Sequence, residues 1–488
     1  MKKNSVACSL FLILVLMLPA GCGGFDSGST SPLSALLSAD NLNLIFVVSP
    51  DLAYQTPGDI SPDTANLTGQ GLQRSLLMAT YLKQQVMGTN NVNGIYVLEP
   101  MTHLQTANNY PDMTAIGFIQ QFALLNQFTL PVDTTGSTYT ANSYPINAAY
   151  ASGSVPNGVV VPASYFPNSS GLEFKDTKGN NGALVSGIIK ANTSGYYVFS
   201  APWETISTLL AEIKKLKGYN LDLPSTYMGT NFVYAISISS SGEARLVTLD
   251  SKLNPPATYP VLPSPVASSP CTHALQPDFR TERTGGVNGA VIPASINTNQ
   301  KMYIVRHSEA HPDAGNMFEN GNFVGAGQWR ALALPNALRD KIHPNMVYSI
   351  DPSQWFFTGY FNVSYVRPSL TVLPYAIANN LPYYLVSSFG IGDPNEPKLG
   401  SDFFFTGGKF SNQTLLLAWE STRIKPLINS LLTSYGANNL PLLPVTWPST
   451  DYDTIWTVTL DGMGNLTVDN ALCEGIDSAA LPATAPQF

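Results

Sequence analysis

The chain of 488 residues is too long for one ordinary domain, and its 44% hydrophobic and 10% aromatic content can fill large cores. Only 11% of residues are charged, and 24 basic against 32 acidic side chains give a net charge of −8. That balance excludes the basic field of a nucleic-acid-binding protein, so an anionic substrate would have to be drawn in by local arginines.

The first predicted element is a targeting segment. Lys2 and Lys3 precede the apolar run SLFLILVLML, too short to be a comfortable membrane span, and LPAGC ends at Cys22. This order resembles a bacterial lipoprotein signal over residues 1–22. The resemblance implies a lipidated Cys22, a Gly/Ser-rich tether over 23–40 and attachment to the membrane through lipid. Gly24, where an Asp would favour inner-membrane retention, points to the outer membrane of the cell envelope, on its periplasmic or surface face. The alternative is an ordinary secretory signal with an incidental cysteine. Export leaves Cys271 and Cys473, which in an oxidising compartment either pair or remain two buried thiols. Neither Cys-x-x-Cys nor His-Glu-x-x-His occurs, so no metal and no cofactor are expected.

Downstream, the chain repeats itself. NLIFVVSPDLAYQTPG (43–58) lies against KMYIVRHSEAHPDAGN (301–316), and LTGQGLQRSLLMATYL (67–82) against FVGAGQWRALALPNAL (323–338). Pro111 and Thr114 fall opposite Pro368 and Thr371. YYVFSAPWETISTLL (196–210) faces QTLLLAWESTRIKPLI (413–428), and YMGTNFVYAISI (227–238) faces WPSTDYDTIWTV (447–458). Two tandem copies of one unit are therefore predicted, over 41–250 and 296–475. The Pro/Ser-rich stretch 251–295 reads as a linker, residues 476–488 as a tail, and the first copy carries an insertion within 131–195.

In chain order each copy opens with a branched apolar strand, then a loop and an amphipathic helix. Trp329, Leu332, Leu334, Ala337 and Leu338 recur at near-helical spacing with a polar opposite face expected. The strand MVYSI follows, then a helix opened by Arg367-Pro368, the strand LPYYLV, and TLLLAW leading into a helix closed by Gly436. TIWTVTLD ends the unit. Alternating strands and helices predict an α/β fold, two three-layer α/β/α domains with mostly parallel sheets.

The first strand of the second copy ends in Arg306-His307-Ser308-Glu309. Alone, this is compatible with a histidine merely bonded at a strand end. The ordered set VRHSEAHP, GAGQWRALALP, YVRPSLTVLP, LLLAWESTRI and WPSTDYDTIWTV is more specific, and over about 300–465 it resembles the histidine phosphatase (phosphoglycerate mutase-like) superfamily. The resemblance implies that His307 attacks phosphorus and is transiently phosphorylated, while Arg306 and Arg367 bind phosphoryl oxygens. A dianion must be neutralised while charge shifts in an in-line transfer, which suits two arginines around one imidazole. Glu309 is a candidate proton donor, with a loop or helix-capping carboxylate as its bland reading. Asn322 is a candidate phosphate contact. Ser421 stands where the family has its second histidine, and His311 or Arg423 could substitute for it sterically.

In the first copy Val48 and Ser49 occupy the Arg-His positions, Tyr110 faces Arg367 and Thr205 faces Ser421. Gly71, Pro111, Trp203 and Glu204 persist. That copy is read as noncatalytic, and its Trp-Glu pair, like Trp419-Glu420, as structural. Three functions remain open. One is a lipid-anchored phosphatase acting on a small phosphorylated substrate through one cleft formed by Arg306, His307 and Arg367. The others are a noncatalytic anion-binding protein and a structural envelope lipoprotein. A mutase fits less well, because the second histidine matters there. Oligomeric state is not legible.

Overall fold

The computed structural model describes residues 37–51, 58–64, 66–100, 111–131, 137–150, 180–271, 276–312, 319–353, 355–357, 362–386, 389–391, 393–437 and 441–488. Cys22 and Tyr110 lie outside them. Among the described residues no helix is long and apolar enough to cross a membrane. No group of three or more His, Cys, Asp or Glu side chains among them is placed to hold a metal ion.

In the N-terminal half, β1 (Leu42–Val48), an unbroken buried run, is followed by α1 (Gly69–Tyr81), β2 (Gly94–Leu98) and α2 (Thr114–Leu124). A hairpin of β3 (Gln127–Pro131) and β4 (Thr138–Asn142) leads to β5 (Asn147–Tyr150) and α3 (Asn180–Ala191). Next come β6 (Gly195–Ala201), α4 (Trp203–Lys217), β7 (Phe232–Ile238) and β8 (Ala244–Asp250). α4 ends where Gly218 takes a left-handed conformation, φ +64°, that an L side chain rarely adopts.

The C-terminal half contributes β9 (Arg280–Arg283), β10 (Gln300–Arg306), α5 (Gly325–Leu338), β11 (Met346–Ile350) and the short pair β12 (Trp355–Phe357) and β13 (Asn362–Ser364). These are followed by α6 (Arg367–Asn379), β14 (Tyr383–Val386), α7 (Glu396–Phe405), β15 (Thr414–Trp419), α8 (Ser421–Ser434), β16 (Thr454–Leu460) and β17 (Leu466–Cys473).

The fold is mixed α/β. The first sheet has the order β5-β2-β6-β1-β7-β8 and the second β14-β11-β15-β10-β16-β17-β9. β1 runs parallel to β6 and antiparallel to β7, and β10 runs parallel to β15 and antiparallel to β16. The two strands thus hold matching central places. β10 shows why both faces of its sheet are covered. Tyr303 and Val305 enter a core shared with α5 and α6, whereas Met302 and Ile304 enter one shared with α7 and α8.

Several elements differ from the sequence expectation. β9, drawn from the stretch read as linker, pairs with β17 and extends the second sheet. α5 has no polar face: buried residues go all the way round it. One side meets its own sheet, and its apolar positions join a core continuous with that of α1 and α2. Trp329 Nε1 also donates to the carbonyl of Thr484, and Gln121 to that of Pro486, so residues 476–488 are packed. Cys271 and Cys473 are disulfide-bonded with Cα atoms 5.6 Å apart, joining the segment between the halves to the end of β17.

Candidate active site

The site is built at the exit of β10. One residue past the strand, the His307 amide still donates to the Trp419 carbonyl (3.1 Å), continuing the β10–β15 pairing and fixing where the imidazole begins. The next amide, of Ser308, donates to Thr371 Oγ1 (2.8 Å), which in turn donates to the Arg367 carbonyl (2.8 Å). The turn after the strand is therefore pinned to the first turn of α6, the helix that Pro368 starts and that Arg367 opens.

His307 Nδ1 lies 2.8 Å from the Ser308 carbonyl. A carbonyl only accepts, so Nδ1 carries the proton and Nε2 keeps its lone pair. Burial, then the Arg367 and Arg306 guanidiniums, hold the imidazole's pKa well below its ordinary value, so it is neutral at physiological pH. The surroundings are nearly symmetrical. The Arg306 guanidinium lies 4.0 Å from the ring centre of Tyr452, and that of Arg367 lies 4.6 Å from Tyr365. Each tyrosine ring is in turn 6.2 Å from the imidazole.

Arg306 is held by Nη1, which donates to the carbonyls of Pro448 (3.4 Å), Ser449 (2.7 Å) and Asp451 (3.0 Å). Arg367 donates through Nε and Nη2 to the Tyr365 hydroxyl (3.2 and 2.9 Å). Its Nη1 meets a carboxylate absent from the sequence reading, Glu319, at 2.6–2.7 Å. Among the described residues two buried polar atoms beside the imidazole, Arg306 Nε and Ser308 Oγ, have no hydrogen-bond partner. Burial holds His311 down at about 4, and its ring packs edge-on against Tyr139 of the N-terminal half. The group is closed over rather than lining an open cleft, since His307 is only 1% exposed.

No family model matches the chain, and no curated protein matches it in sequence. Among solved structures, a phosphoglycerate mutase from Plasmodium falciparum is 14% identical, with 39% of this chain and 99% of that one covered at a TM-score of 0.24. A protein from Agrobacterium tumefaciens assigned as the phosphohistidine phosphatase SixA is 12% identical, with 34% and 93% covered at 0.22. A phosphoserine phosphatase from Entamoeba histolytica is 15% identical, with 35% and 96% covered at 0.20. The chemistry of the site rests on its own residues.

The other candidates are placed differently. Glu309 is no free acid. Its two oxygens accept from Arg330 Nε (2.8 and 3.0 Å), and Ser478 Oγ donates to it (2.9 Å). The N-terminal half has the same bridge, Arg74 Nε to Asp59 Oδ2 (2.6 Å), where no His or Arg stands at the strand exit. The Glu309 carboxylate is thus committed to α5. Asn322 is likewise engaged: Nδ2 donates to the Tyr144 carbonyl (3.1 Å), while Oδ1 accepts from Gln120 Nε2 and the Phe323 amide (2.9 Å each). It bridges the halves instead of facing a substrate.

Ser421 opens α8, and its hydroxyl donates to the N-capping Glu420 (3.0 Å). Arg423 acts electrostatically on Glu396. The strand registers also correct one correspondence. Val48 pairs with Ala201 as Arg306 pairs with Trp419, and α4 starts at Trp203 as α8 starts at Ser421. Trp203, not Thr205, stands opposite Ser421, and Trp203 and Trp419 are not equivalent. The Ser49 amide bonds the Ala201 carbonyl (2.9 Å) as His307 bonds Trp419, so the two strand exits share this backbone bond.

Proposed function

We propose that the protein is a phosphomonoesterase of the histidine phosphatase type. Its only working site is in the C-terminal half, and the N-terminal half is a degenerate second copy. The observation that carries this reading is a neutral imidazole with a free Nε2 between two buried guanidiniums, each stacked on its own tyrosine. Two fixed cations beside a histidine disfavour any role as a charged imidazolium. They suit a nucleophile whose target brings negative charge. Arg306 and Arg367 would hold phosphoryl oxygens, and Nε2 would attack phosphorus in line with the departing ester oxygen. Water would then release phosphate from the phosphohistidine.

The Lys2-Lys3, apolar and Cys22 order supports placing this activity in the cell envelope on a lipid anchor, with a small phosphorylated molecule as substrate. The test is trapping. During turnover of an aryl phosphate, alkaline quenching should recover a phosphoryl group, labile to acid, on the peptide bearing His307. Folded protein that neither hydrolyses aryl or alkyl phosphates nor labels would refute the reading. The noncatalytic anion-binding alternative would then be kept only if sulfate still binds.

Ser421 defines a second expected result. At the exit of β15 it sits next to the exit of β10, yet a hydroxyl directed to Glu420 supplies no charge to the transferring group. Ser421→His should raise kcat/KM for an aryl phosphate by about 10²–10³, the size of one transition-state donor. An unchanged or lower rate in the folded variant would show that this position no longer faces the phosphoryl group.

A further inference from the structure

We infer that Glu319 is the catalytic proton carrier of this site: it makes binding of a phosphoryl dianion take up one proton, and it delivers that proton to the leaving group. The inference deepens the phosphatase reading and rests on it. Three observations support it.

Glu319 is built into position. Gly321, at φ +79°, brings its backbone so near β13 that a Cβ there would lie 2.1 Å from the Ser364 carbonyl oxygen. The Gly321 amide donates to Glu319 Oε1 (2.7 Å), and the Arg367 amide donates to the Gly321 carbonyl (3.0 Å). Asn320 is sewn to the Ser143 carbonyl of the other half. A glycine turn thus presses this carboxylate onto the first residue of α6.

Among the described residues, Glu309, Glu420 and Asp451 are engaged in structure. Glu309 is bound to Arg330 and Ser478. Glu420 caps α8 through the Thr422 amide (2.7 Å). Asp451 accepts from the amides of Asp453 and Thr454 and from the Thr454 hydroxyl. Glu319 alone of these four holds a group that the substrate itself must take, Arg367 Nη1.

A dianion reaching Arg367 therefore meets a carboxylate already there. Two anions on one guanidinium repel, and protonation of one relieves the repulsion. The groups facing Glu319 are Arg367, the Tyr365 hydroxyl and His311. Tyr365 stays neutral and Arg367 stays charged throughout the neutral range, and His311 titrates at about 4. Among the described residues Glu319 is thus the group left to take the proton. In the first step His307 Nε2 bonds phosphorus as the ester P–O bond breaks, and the departing oxygen takes the Glu319 proton. In the second, water passes a proton to the Glu319 carboxylate as its oxygen bonds phosphorus. The P–N bond breaks and its electron pair returns to Nε2.

The test uses the whole protein with two probes. Sulfate keeps its two charges across the neutral range, so its inhibition or direct binding reports protons taken up by protein. Wild-type affinity should rise toward about tenfold for each unit of falling pH, the signature of one linked proton. Glu319→Gln should bind more tightly and without pH dependence. In kcat/KM, which covers the steps up to ester cleavage and not the later hydrolysis common to both esters, Glu319→Gln should lose about 10²–10³ on an alkyl phosphate but under about tenfold on p-nitrophenyl phosphate, whose leaving group needs no proton. Equal losses on both esters would overturn the catalytic assignment. Proton uptake that survives Glu319→Gln but disappears in His311→Gln would move the role to His311 and overturn it too. Proton-linked sulfate binding without hydrolysis of either ester would instead sink the phosphatase reading, and the leaving-group step with it.

Discussion

Replacing His307 with alanine should abolish phosphoryl transfer, with a loss on the order of 10⁶ in kcat, because removal of a covalent nucleophile leaves nothing to accept the group. The variant should stay folded. The ring makes one side-chain hydrogen bond, to its neighbour's carbonyl, and no ion pair depends on it. A pH effect separates this from general damage. The imidazole's folded pKa is depressed below the unfolded value, so its contribution to stability is complete above about pH 6.5 and is lost as pH falls through the folded value. His311, held at about 4, contributes in the same direction. Urea midpoints of the wild type should therefore drop between about pH 6.5 and pH 4, and His307→Ala should show a smaller drop while keeping the share due to His311. Full activity in the folded variant would place the nucleophile elsewhere. An unchanged acid sensitivity would show that the imidazole is not held neutral by its surroundings.

What was legible in the sequence divides along physical lines. The strands and their central places follow from unbroken apolar runs such as that of β10, and the start of α6 from Pro368 in its first turn. Arg306, His307 and Arg367 were legible because each sits at the end of such an element, so finding the element finds the side chain. Glu319 was not. It lies in a loop, and only the left-handed turn at Gly321 and the approach to Ser364 bring it to Arg367. Glu309 misled for the opposite reason: two residues from His307 in sequence, it turns toward α5. Asn322 looked like a ligand because nothing in the sequence tells that Gln120 and Tyr144 come from the other half to meet it. The burial of α5 on nearly every side escaped on the same ground, since periodicity reports one face and packing between halves covers the other.

Arg330→Ala should destabilise the protein by about 3–5 kcal/mol, a large part of the roughly 5–15 kcal/mol that holds a domain folded. Arg330 is fully buried on α5. It binds Glu309, Glu474 Oε2 (2.5 Å), the Ser478 hydroxyl (2.7 Å) and the Ile476 carbonyl (3.3 Å), with Asp453 3.8 Å away. One cation thus ties the loop after β10 to the end of β17, next to the disulfide at Cys473. Burial already pushes Glu474 up to about 8 despite the arginine. Without Arg330, Glu309 and Glu474 would be two buried carboxylates with no counter-charge. Losing the arginine raises the Glu474 carboxyl further, so the sign is fixed: the deficit should be small near pH 4, where the carboxyls are largely protonated in either state, and should still be growing as pH passes about 8. Urea denaturation across that range measures it. In the Arg330→Met background, adding Glu309→Gln and Glu474→Gln should recover much of the loss, since the cost comes from unpaired charge rather than from the missing guanidinium. The same variants separate the two roles offered for Glu309. A structural Glu309→Gln lowers the urea midpoint and leaves kcat/KM on an alkyl phosphate within a few-fold, whereas a proton-donating one would lose rate on that ester at an unchanged midpoint.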